Sequence, residues 1–248
     1  MIAEMVRVTA RQLLGRRRTL IMLLLALAPI LLALLFRLSD APAGSIRGDR
    51  DFLRAVFDAF IVTLLLPLIA LLFGTAAFGA EVEDGTIVYL LAKPIPRWRT
   101  VLAKLFVAAV ASIVLAGSAT LLTALIAVGG VAQSSGIVTG FVVGVAAGAV
   151  IYTSVFVALS LITSRALIAG LVFVVLWEGV LANFLPGIRF LSIRQYTLGI
   201  ADAVGVDGRV MADTLDIGLA VGLGSAVVSL ATLVAIRRLG GFEIPQED

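Results

Sequence analysis

The chain has 248 residues, 61% hydrophobic and 14% charged, with a mean hydropathy of +1.14; an ordinary soluble domain carries roughly 45–50% apolar and about 25% charged residues. That much apolar surface needs a bilayer as its solvent. The net charge is +3, from 17 Arg and two Lys against 16 acids, and neither Cys nor His occurs, which excludes disulfides, thiol nucleophiles, imidazole bases and Zn sites built on those residues.

At the start, Ile2, Met5, Val6, Leu13 and Leu14 fall on one helical stripe, with Glu4, Arg7 and Arg11 elsewhere and Arg16-Arg17-Arg18 following. Residues 1–18 read as an amphipathic helix lying on the cytoplasmic leaflet; a plain cationic leader is the other reading. A helix crossing a ~30 Å hydrocarbon core needs about 20 apolar residues. The first such run is 19–36, expected to stay uncleaved although Ala41-Pro42-Ala43 after it resembles a processing site. The second is 59–80, and Pro29 and Pro67 are candidate kinks in these two spans. From Leu105 to Ser164 there are 60 uncharged residues, far more than one crossing uses. That run is expected to fold back at Gly129-Gly130 and Gln133-Ser134-Ser135-Gly136, giving spans at 105–128 and 137–163. A fifth span is expected at about 166–186, interrupted by Glu178, and a sixth at 217–236. The prediction is an all-α membrane protein of six transmembrane helices in a single domain.

Six crossings place both termini on one side. That side collects 12 of the 19 cations, at the N-terminus, in 81–104, at Arg165 and at Arg237-Arg238, while the other side collects seven. The positive-inside rule makes the first side cytoplasmic, N-in and C-in, in a cell inner membrane. Because the cations flank membrane segments rather than gather on one face, no nucleic acid partner is expected.

The stretch 81–104 carries the most information. Glu81, Glu83 and Asp84 precede Gly85-Thr86, and the apolar run to Leu90-Leu91-Ala92 is too short to cross a bilayer. Lys93-Pro94 and Pro96-Arg97 then stop it, since Pro breaks a helix and disfavours helical geometry in the residue before it. A short helix from near Thr86, acidic at its N-terminal end and cationic at its C-terminal end, suits the helix macrodipole. Exposed apolar residues on the cytoplasmic side call for a partner; an interfacial connector is the alternative.

This pattern, Glu81, Glu83-Asp84-Gly85-Thr86, Leu90-Leu91-Ala92, Lys93-Pro94-Ile95-Pro96-Arg97 and Lys104, resembles the loop between the second and third helices of ABC-2 type permeases. The likeness extends to the basic amphipathic N-terminus, the six spans and a long external loop (187–215) before the last helix. The resemblance implies the transmembrane half of a type V ABC exporter, with an elbow helix at 1–18 and a coupling helix around Gly85 to Ala92 that fits a cleft on a separate ATPase dimer. Glu81, Glu83 and Asp84 would lie at the start of the coupling helix, Tyr89 and Leu90 would supply knobs, and Lys93 and Arg97 would pair with acidic residues of the ATPase. No G-x-x-x-x-G-K-[ST] occurs. The chain is therefore not expected to be an enzyme by itself or to hold a cofactor or metal; ATP and Mg2+ would sit on the partner. A six-helix half also implies a second permease, identical or paralogous.

Inside the spans, Gly136, Gly140, Gly144 and Gly148 recur every fourth residue, and Gly218 and Gly222 repeat the spacing. Such ridges let helix backbones approach closely. Glu178, beside Trp177, is the one ionisable residue deep in a predicted span. An intramembrane carboxylate is costly and marks a functional site by default, so Glu178 and Trp177 are candidates for the translocation path; hydrogen bonding to a neighbouring helix is the alternative. The segment 187–215 reads either as short helices dipping into the outer leaflet or as a solvated loop. The functional expectation is an ABC exporter permease, with an ion-coupled secondary transporter or a non-transporting scaffold as rivals.

Overall fold

The computed structural model describes residues 17–38, 46–83, 96–128, 135–181, 190–205 and 214–241. Among these residues every regular element is helical: α1 (Arg17–Leu38), α2 (Ile46–Ala55), a π-helical stretch π1 (Val56–Leu65), α3 (Leu66–Glu83), α4 (Arg97–Val128), α5 (Ser135–Ile162), α6 (Ala166–Val172), a second π-helical stretch π2 (Phe173–Leu181), α7 (Ile193–Val204) and α8 (Ile217–Gly240). Among the described residues five helical segments are long and apolar enough to cross a membrane, at Leu20–Leu38, Asp51–Gly79, Arg97–Val128, Gly136–Ile162 and Ile217–Gly240, and Ala166–Val180 is a shorter apolar helix. The chain is a multi-pass membrane protein. Of the expected elbow at 1–18, residues 1–16 lie outside the described residues and Arg17 and Arg18 open α1; of the expected turn at 129–136, residues 129–134 lie outside them and Ser135 and Gly136 open α5.

The helix ends follow from local chemistry. α4 begins after Pro96, whose carbonyl accepts from the N–H of Arg99 at 2.9 Å; Pro is well placed at a helix start because its missing N–H would be unpaired there anyway. Asp216 caps α8 by accepting from the Gly218 N–H at 3.0 Å, and Arg237 and Arg238 fill the last turn, where cations favour the negative end of the dipole. Arg37, at the end of α1, donates from Nε to the Ile126 carbonyl at 2.9 Å, tying the C-terminal ends of α1 and α4 together. The predicted second span begins earlier than its apolar run: α2, π1 and α3 follow one another without a break from Ile46. Pro67 sits just beyond π1 and can neither donate nor tolerate a normal carbonyl four residues back. The wider turns relieve that clash, and the Thr63 hydroxyl takes up the Asp58 carbonyl at 2.7 Å.

α5 is the central helix, packed by α3, α4, α7 and α8. Lipid is as apolar as a leucine side chain, so close packing and polar contacts, rather than hydrophobic burial, must hold such a bundle together. Phe57 stacks on Phe141 with ring centroids 3.8 Å apart, and the Thr153 hydroxyl donates to Ser112 Oγ across α4 and α5 at 3.3 Å. α1 and α8 turn most of their surface outward, whereas the span containing α3 and the central α5 are largely enclosed.

Candidate functional site

Two groups of polar residues stand out from the apolar bundle, one at each side of its middle. The first brackets the segment that the sequence singles out. Glu81 lies near the end of α3 and Lys104 two turns into α4. Lys104 is buried, yet its Nζ is fully occupied: it donates to the Ala77 carbonyl at 2.6 Å and to Glu81 Oε1 at 2.5 Å, and it lies 4.4 Å from the centre of the Phe78 ring. A buried ammonium is costly unless paired and hydrogen-bonded; here a carboxylate, a carbonyl near a helix C-terminus and an aromatic face supply the compensation. The end of α3 and the start of α4, which flank residues 84–95 in sequence, are therefore joined by a polar staple. Next to it, Arg97 Nη1 donates to the Gly240 carbonyl at 2.6 Å, linking the start of α4 to the end of α8. Exposed Trp98 carries the Arg99 guanidinium 5.1 Å from its ring centre.

Of the predicted coupling residues, Glu81, Glu83 and Arg97 belong to described helices, with Glu83 the last residue of α3. Asp84, Gly85, Thr86, Tyr89, Leu90 and Lys93 lie outside the described residues. In the sequence Lys104 stands as a flanking cation and the end of the 81–104 pattern; its signal is that it is one of two lysines and directly precedes 60 uncharged residues.

The second group surrounds Glu178 on π2. The carboxylate is buried and accepts from the Ser192 hydroxyl at 2.5 Å and from the Ile193 N–H at 2.8 Å. Trp177, its half-buried neighbour, approaches the Leu191 carbonyl with Nε1 at 3.5 Å. Arg194 donates from Nη2 and Nε to Asp58 Oδ1 at 2.6 and 3.1 Å. Nothing in the sequence pattern singles out Asp58 or Arg194: Asp58 directly precedes the apolar run 59–80, and Arg194 lies in the segment 187–215.

The glycine positions divide sharply. A Cβ added at Gly144 would lie 2.6 Å from Ala201 Cβ and 2.8 Å from the Thr197 carbonyl; at Gly140 it would meet the Ala201 carbonyl, and at Gly148 the Thr197 hydroxyl. The three therefore face α7, a helix in the segment 187–215, rather than one of the long spans. Gly136 is half-buried at the start of α5. At Gly218 an added Cβ would meet only the capping Asp216 carboxylate, and at Gly222 nothing within 4 Å.

The decisive observation comes from comparison with known families. A family model described as ABC-2 family transporter protein matches residues 6–198. The chain belongs to that family. It is an ABC-2 type permease, a membrane component of an ABC transporter, and the family generally works with an ABC ATPase subunit. No curated protein matches the sequence. The match runs from the basic N-terminus through the stapled segment and into α7, so both polar groups of the permease fall within it. Among the described residues no cluster of acids could hold a metal ion.

Proposed function

We propose that this permease is the transmembrane subunit of an ATP-binding cassette exporter, moving substrate outward across the inner membrane at the expense of ATP hydrolysed by a separate ATPase dimer. The observation that carries this reading is the staple between the helix ends that flank 84–95. Lys104 fastens the end of α3 to the start of α4, and Arg97 fastens that start to the end of α8. A push on the short segment between them would reach three membrane helices without being absorbed by a slack loop.

In this reading Gly85 to Ala92 form the coupling helix, with Glu83, Asp84 and Thr86 at its head, Tyr89 and Leu90 as knobs, and Lys93 as a cation facing the ATPase. ATP and Mg2+ reside on the ATPase. The Ala166–Val180 helix continues as the sixth crossing, which puts both termini and the stapled end in the cytoplasm and α7 towards the outside. A second permease completes the assembly, and the small residues Gly218 and Gly222 on α8 are open to a neighbouring helix.

The test is co-purification with candidate ABC ATPase subunits of the source organism, before and after Ile87, Val88, Leu90 and Leu91 are changed to Asp. Capture of the ATPase by the unchanged permease and its loss from the variant is the expected outcome. Equal capture by both would remove the coupling assignment.

A further inference from the structure

A helix begins with N–H groups that no turn of its own can satisfy, and inside a membrane protein no bulk water replaces the missing acceptors. α7 starts under this constraint. Thr197, in its second turn, packs at Gly148, thirteen residues along α5 from Ser135, or ~20 Å at the α-helical rise. Its N-terminus therefore lies near the middle of the bundle. The side chain of Ser192, at the cap position, does not bond its own helix; its hydroxyl goes to Glu178, which also takes the Ile193 N–H and is approached by the Arg194 N–H. Glu178 thus caps α7 from another helix, with negative charge at the positive end of the dipole. Arg194 in the same turn is held by Asp58.

Three further observations bear on what this arrangement does. Both carboxylates sit on π-helical stretches, the only two among the described residues, and π-helical turns concentrate at functional sites. A helix that only needed to be packed would be held as well or better by apolar contacts, because buried ion pairs are expensive. Finally, the Tyr152 hydroxyl is fully buried and has no hydrogen-bond partner within good geometry, yet it stands beside the Glu178 carboxylate. A small turn of that carboxylate would complete the bond.

We infer that Asp58 and Glu178 are positioning residues of the transport cycle: they clamp α7 in the glycine slot of α5, and substrate release requires the Glu178 carboxylate to give up the α7 N-terminus and turn to the adjacent Tyr152 hydroxyl. The inference rests on the transporter reading above. Asp58 keeps hold of Arg194 on the other side, so α7 is freed from one neighbour at a time.

The chain contains no cysteine, so Thr197→Cys, buried at the slot, provides a single reporter thiol. Its labelling by a small maleimide is measured in the reconstituted permease–ATPase complex, at rest and during ATP turnover. Slow labelling is expected at rest, about tenfold faster labelling when Glu178→Ala removes the charge-assisted bonds, and acceleration by ATP in the otherwise unchanged protein. Tyr152→Phe is expected to suppress the ATP-dependent part and leave the resting rate alone, which a merely structural tyrosine would not do. If Glu178→Ala fails to fold, Asp58→Arg and Arg194→Asp replace it: each alone speeds labelling and the pair together slows it again. Unchanged labelling in a folded Glu178→Ala protein, or failure of the charge swap to restore protection, overturns the clamp. Labelling indifferent to ATP while ATP is hydrolysed overturns its role in the cycle. Absence of any ATPase activity counts instead against the transporter reading, and the resting rates then decide the clamp by themselves.

Discussion

Two clusters of enclosed charge hold this bundle, and they are built on opposite plans. The staple joins Glu81 to Lys104, 23 positions apart on consecutive helices. The clamp joins Arg194 to Asp58 across 136 positions and Ser192 to Glu178 across 14, gathering two separate elements on the start of one short helix. The staple makes neighbours rigid; the clamp decides whether a distant helix stays in place. A transmission needs the first kind of contact at the end that is pushed and the second kind where something must let go.

The comparison can be broken most forcefully at the slot on which the clamp depends. Gly144→Leu sets a side chain against α7 backbone that has no room to yield, and overpacking of this severity is expected to cost ~3 kcal/mol or more. Thermal unfolding in detergent measures it, with Gly222→Leu, which meets open space, expected to melt like the parent. Next in size is Lys104→Met, which strands Glu81 and the Ala77 carbonyl and is expected to lower stability by ~3 kcal/mol. Exchanging the pair, Glu81→Lys with Lys104→Glu, should recover part of the loss; no recovery would mean that Lys104 acts through its stem alone. Asp58→Asn keeps the shape of the clamp and weakens its charge, with an expected loss of ~1.5 kcal/mol and faster exchange of α7 amides with deuterium. Arg97→Ala should be the mildest. Its bond is exposed, so melting should not change, while the ratio of transport to ATP hydrolysis should fall. A parallel fall in binding of the ATPase would make Arg97 a docking residue rather than a link to α8.

The same contrast governs how much the sequence discloses. Charge spacing suffices for α1, where the uncharged run 19–36 falls within Arg17–Leu38, and for the 60-residue run, which divides into α4, ending at Val128, and α5, beginning at Ser135. The acidic and basic flanks of 84–95 mark the staple because both partners lie close in sequence. α7 is harder. Its 12 residues are too few to cross, and although Ile193, Tyr196, Ile200 and Val204 form an apolar stripe, its place depends on a slot cut by glycines on another helix. Glu178 is conspicuous for its charge, but its donors are backbone and hydroxyl groups that leave no pattern. Asp58 looks like the edge of a span because the helix before it is polar; only the fold shows that the helix continues and that Asp58 faces inward to Arg194.

The slot along α5 also limits the kind of motion open to α7. A pocket lined by flexible side chains can widen by small rotamer adjustments, admitting many intermediate positions. This one is bounded largely by main chain, at Gly140 and Gly144 on one side and by the carbonyls of Thr197 and Ala201 on the other. Main chain in a continuous helix does not give by degrees. α7 is therefore either seated or displaced as a whole body, and whatever passes it meets a barrier with two settings rather than a graded aperture.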